Sequence, residues 1–66
     1  MTEIELEKFD NNLVDVYTIN GNHYRNICEF VSAEDNDPLP ASIIIKGKDS
    51  NYYEIYVDEI ATIKQA

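Results

Sequence analysis

The stretch Val14-Asp15-Val16-Tyr17-Thr18-Ile19-Asn20-Gly21 decides the reading of this chain. A β-branched and aromatic run ends in Asn-Gly, and a second strand-like run, Asn22 to Val31, follows at once. This is the strongest short-range hairpin signal, because Asn and Gly both tolerate positive φ. In the first strand, Leu13 to Ile19, Val14, Val16 and Thr18 share one face and Asp15, Tyr17 and Ile19 the other. In the second, Tyr24 and Cys28 face inward, while His23, Arg25 and Glu29 face solvent. Ten residues is long for a strand, so a bend is expected within it.

Outward from the hairpin, the signals continue as short strands. Ser32 to Pro40 reads as a loop, because Glu34, Asp35, Asn36, Asp37, Pro38 and Pro40 oppose any regular element. Ala41 to Lys46 is a third strand around three isoleucines, and Gly47-Lys48-Asp49-Ser50 a turn. Asn51 to Val57 is a fourth strand, with Tyr53, Ile55 and Val57 on the core side. Asp58-Glu59 interrupts the chain before a short fifth strand, Ile60 to Lys64. Residues 1–12 admit two readings. Thr2 and Glu5 fit a capping box opening a short helix, with Ile4, Phe9 and Leu13 loosely on one side, whereas Ile4 and Leu6 alternating with glutamates fit a strand. The helix is favoured, because Asp10-Asn11-Asn12 is a natural stop. The expected fold is all-β: one domain over residues 1–66, a five-stranded, strongly bent small barrel over 13–64 behind that short arm.

A 66-residue chain buries only about 60% of its unfolded surface, so oligomerisation is an expected source of stability. Cys28 is the single cysteine, so no internal disulfide forms, and a reducing, cytoplasmic setting is expected. No long apolar run points to a membrane. Thirteen acids against five bases leave a formal charge of −8, and the bases read as scattered rather than as a basic patch. A chain this acidic suits basic protein partners.

The residues resemble the Sm-like family, and its bacterial Hfq branch in particular. There, a short helix leads into a five-stranded bent barrel, the first strand ends in Asn-Gly, and the second carries apolar residues four apart, here Tyr24 and Cys28. Tyr56-Val57-Asp58-Glu59-Ile60-Ala61-Thr62-Ile63 is similar to the family's second motif. The resemblance spans roughly residues 2–64. It implies a non-enzymatic RNA-binding ring, hexamer or heptamer, in which the fourth strand of one subunit pairs with the fifth of the next. Tyr52, Tyr56, Ala61 and Ile63 would lie at that interface. It also implies an RNA face built from Tyr17, Gly21, Asn22, Arg25 and Thr62. The sequence departs from the pattern elsewhere. The glycine at the bend of the second strand is Asn26, the Asp ending that strand is Ser32, and the basic pair of the uridine-binding pore is Val57-Asp58. The stacking aromatic of that pore falls near Glu34. The pore-face chemistry is therefore not expected to operate, since the stacking platform is missing and the charge is reversed.

A second expectation follows from charge: an acidic module that docks on a basic, nucleic-acid-type surface through Glu34, Asp35, Asp37, Asp58 and Glu59. No cofactor or metal is expected. A calcium loop starting at Asp35 would need Gly and Glu where Pro40 and Lys46 stand. His23 and Cys28 point to opposite faces of a strand, so they form no nucleophile pair, and His23 reads as an exposed residue beside the turn.

Overall fold

The computed structural model describes residues 1–66. Thr2 caps a five-residue helix, α1 (Glu3–Glu7). Its hydroxyl accepts from the Glu5 amide at 3.2 Å, and its own amide donates to Glu5 Oε1 at 3.0 Å. This reciprocal box satisfies two of the helix's otherwise unpaired amides. The expected apolar side of the helix holds only for Phe9, which packs against the core. Ile4 is 73% exposed and Leu13 41% exposed, and Leu6 is the residue that goes fully into the core. The helix is tied down where it meets the sheet: Glu3 Oε2 accepts from the Ala33 amide at 3.2 Å, and Asp10 Oδ1 from the Phe30 amide at 2.8 Å. Asn11, at φ 60°, then turns the chain into the sheet, as the Asp10-Asn11-Asn12 stop anticipated.

Five antiparallel strands follow: β1 (Leu13–Thr18), β2 (His23–Val31), β3 (Ser42–Lys46), β4 (Tyr52–Tyr56) and β5 (Ile60–Gln65), in the sheet order β4-β3-β2-β1-β5. A 3-10 turn, Val57–Glu59, stands where Asp58-Glu59 was expected to break the chain. The fold is the expected one: mostly β, a single bent sheet behind a short N-terminal helix. No helix is long and apolar enough to cross a membrane.

The opening hairpin differs from its expectation in one detail. Gly21 alone takes positive φ, +89°, and Asn20 does not. The turn centres on Ile19-Asn20, with Gly21 N–H donating to Thr18 O at 3.0 Å and Thr18 N–H to Asn22 O at 2.9 Å. Asn20 contributes through its side chain, whose oxygen accepts from the Thr18 hydroxyl. β2 bends as expected. Residues up to Ile27 pair with β1, and Cys28 onward with β3. At the bend Asn26 needs no unusual φ. Its Oδ1 accepts from the Ile27 amide at 2.8 Å and its Nδ2 donates to Lys46 O at 3.3 Å, so the side chain bridges the two half-sheets.

Leu6, Val14, Val16, Cys28, Ile43, Ile45, Ile55 and Ile60 form the core, with Phe9, Tyr24, Phe30, Val57 and Ile63 packed against it. Cys28 is 1% exposed, and burial pushes its thiol pKa up. That suits a packing residue and not a nucleophile. Tyr53, expected in the core, is half-buried. Its ring lies 5.2 Å from that of Tyr24 and over Gly47, and its hydroxyl donates to Asp49. A Cβ on Gly47 would sit 2.8 Å from Tyr53 Cε2 and 2.9 Å from Asp49 Oδ1. Gly47→Ala is therefore expected to cost about 1–3 kcal/mol in urea denaturation, because the ring must leave its seat.

Candidate nucleic-acid interface

The register of β5, β1 and β2 builds one outward face in rows. Lys64, Asp15 and Arg25 lie side by side, then Thr62, Tyr17 and His23, with Leu13 beside Ile27 at one end. Tyr17 and His23 stack face to face, ring centroids 4.4 Å apart and planes 9° from parallel. Asp15 is 7% exposed and is the electrostatic centre of the face. Its Oδ1 lies 2.9 Å from His23 Nε2 and its Oδ2 accepts from Arg25 Nη1 at 3.3 Å. A carboxylate only accepts, so His23 Nε2 is the protonated nitrogen. The His23 hydrogen bond, aided by the Arg25 charge, holds the Asp15 pKa below the usual carboxylate range despite burial.

Of the residues assigned to an RNA face, Tyr17, Arg25 and Thr62 come together here. Gly21 and Asn22 close the end of the face in the turn, where the Asn22 amide donates to the Thr18 hydroxyl at 3.0 Å. Two of the five bases meet on this face, while Lys8, Lys46 and Lys48 lie elsewhere. Arg25 and Lys64 flank Asp15, so two bases and one acid give this face a formal +1 in a chain of −8. Lys48 stands beyond His23 at an open hollow of about 260 Å³ that Tyr24, Gly47, Asp49 and Tyr53 complete.

His23 is the residue the sequence reading undervalued. It is exposed beside the turn, as expected, and is in addition stacked on Tyr17 and anchored to Asp15. The signal was present, because residues equidistant from Asn20 face each other across the hairpin, Tyr17 opposite His23 and Asp15 opposite Arg25.

No protein-family model, curated protein or solved structure matches the chain.

The other assigned residues lie apart from this face. Glu34, Asp35 and Asp37 are exposed on the loop after β2, and Asp58 and Glu59 on the 3-10 turn. The loop is pinned by Asn36, whose Nδ2 donates to Pro40 O at 2.8 Å and to Glu54 Oε2 at 3.1 Å. Glu59 already serves its own chain, with Oε1 accepting from the Tyr56 amide at 3.0 Å and its carbonyl from the Ile19 amide at 2.9 Å. Tyr52 is 72% exposed, with Lys46 Nζ 6.0 Å from its ring centroid. Tyr56 is half-buried and donates to Glu54 Oε1 at 3.2 Å. Ala61 is exposed, whereas Ile63 packs partly against its own core. The strands that carry these four, β4 and β5, are the two edges of the sheet.

Four carboxylates sit below their usual pKa range: Asp15 through His23, Asp49 through Tyr53, Glu54 through Ser42 and Glu5 through Thr2. A lowered native value stabilises the fold above the ordinary values, about 3.9 for Asp and 4.3 for Glu, and that support is lost as pH falls through the native ones. The thermal midpoint is expected to fall as the protein is taken from about pH 5 to about pH 2. A midpoint that rises throughout would mean that relief of acidic self-repulsion outweighs these bonds.

Proposed function

We propose that this protein is a non-enzymatic, Sm-like and Hfq-related ring protein that binds single-stranded RNA weakly through the outer face of β5, β1 and β2. The observation that carries the reading is the Tyr17–His23 stack set beside Arg25, Thr62 and Lys64. An aromatic platform beside cations is the chemistry single-stranded nucleic acid needs: bases stack on the ring and phosphates meet the bases. The face supplies locally the positive charge that the chain as a whole lacks. Ring closure is part of the same proposal. β4 and β5 leave two unpaired edges, and joining them between subunits would satisfy both.

Titration with oligo(A) and oligo(U) at low and moderate salt tests the RNA reading. Binding that weakens with salt supports it, and no binding of either below about millimolar overturns it. Solution mass by light scattering tests the ring, with six or seven times the 7.6 kDa protomer expected. The second reading, an acidic module that docks on a basic partner surface as a regulator or competitor, draws on Glu34, Asp35, Asp37 and Asp58, exposed away from the basic face. Partners that are basic and elute with salt would favour it.

A further inference from the structure

We propose that His23 is a ligand-contacting residue of the β5-β1-β2 face, and that its anchorage to Asp15 beside Tyr17 makes the grip of that face on a strand phosphate depend on pH. The inference rests on the reading of this face as an RNA surface and adds how its affinity is controlled.

The geometry gives His23 one occupied and one unoccupied nitrogen. Nε2 is held by Asp15 at 2.9 Å, and Nδ1 has no hydrogen-bond partner in the protein. The side chain is 38% exposed, so that nitrogen is not sealed in the core. Tyr17 covers one face of the ring and fixes its plane. The imidazole is thus oriented by two contacts, neither of which uses the second nitrogen. In the neutral ring Nδ1 is an acceptor and repels a phosphate oxygen. With a second proton it becomes a charged donor.

The charged and titratable surroundings are mixed in sign. Asp15 and Tyr17 face His23 from β1, Tyr24 and Arg25 neighbour it on β2, and Lys64 stands beyond Asp15 on β5. Lys48, Asp49 and Tyr53 share the hollow on its far side. Asp15 is engaged by both His23 and Arg25, and Asp49 by the Tyr53 hydroxyl and the Asn51 amide. Asp15 sits on the Nε2 side of the ring and Asp49 is engaged elsewhere, so neither carboxylate occupies Nδ1. Protonation would take the face from a formal +1 to +2, which adds one phosphate contact.

The test is the affinity of the full chain for labelled oligo(A) at about pH 8 and about pH 5.5, each over a salt series. At the lower pH, wild type is expected to bind about three- to fivefold more tightly, the scale of one partly exposed ion pair. Its plot of log affinity against log salt should steepen by about 0.7, the increment for one further phosphate on a single strand. His23→Gln should lose the pH gain. His23→Lys, charged at both values, should bind at pH 8 as wild type does at pH 5.5. If wild type binds without pH dependence, or if His23→Gln keeps the full gain, the proposal is overturned while the RNA face stands. If wild type binds at neither pH, the RNA reading itself fails.

Discussion

Ile43→Ala is expected to destabilise the protein by about 2–5 kcal/mol, the range for truncating a large aliphatic side chain in a packed core. Ile43 is fully buried and lies between Phe30 of β2 and Ile55 of β4 in the register of the bent half-sheet. Its loss would leave a cavity that three strands share, and none can close it without breaking pairing. A chain of 66 residues has only about 3–10 kcal/mol to lose, at roughly 0.05–0.15 kcal/mol per residue. The variant should therefore lose a large share of its stability and show a much lower urea midpoint, while Ile43→Val should cost about 1 kcal/mol and shift it little. An Ile43→Ala chain with an unchanged midpoint would mean that the core is looser than its burial indicates.

The second large effect concerns ligand and not fold. Tyr17→Ala should weaken oligo(A) binding by about 1–3 kcal/mol, the contribution of one stacked base. Tyr17 is 41% exposed and lies outside the buried core cluster, so thermal stability should change little. Tyr17→Phe keeps the ring and should bind as wild type does. Because His23 already covers one face of Tyr17, the base must use the opposite one, on the side of Thr62. NMR shifts on adding oligo(A) should centre on Thr62 and its β5 neighbours. Equal affinity of wild type and Tyr17→Ala would remove Tyr17 from the site.

What the sequence made legible was local. Asn20-Gly21 marked the hairpin, alternation placed Val14, Val16 and Cys28 inside, and Thr2 with Glu5 marked the helix start. These signals act within a few residues, where backbone sterics and hydrogen bonding decide the outcome. What was misjudged depended on how distant segments meet. Leu6 replaced Ile4 as the buried helix residue, because the end of the barrel, and not the helix's own periodicity, selects which side is covered. Tyr53 stopped at the core's margin because Gly47 offers it a seat and Asp49 holds its hydroxyl. The site was half legible. Tyr17, Arg25 and Thr62 were assigned together, whereas Asp15 and His23 were passed over because an acid and a histidine beside a turn look solvated until the register is worked out.

The +1 face in a −8 chain has a kinetic meaning. A polyanion approaching from afar meets net repulsion, and only within about 8 Å, the screening length at physiological salt, does it sense Arg25 and Lys64 separately from the rest. Encounter with a polyanion is therefore expected to be slow and restricted to one orientation. Added salt should speed arrival by masking the repulsion and speed departure by weakening the contact, so both rates are expected to rise together with salt.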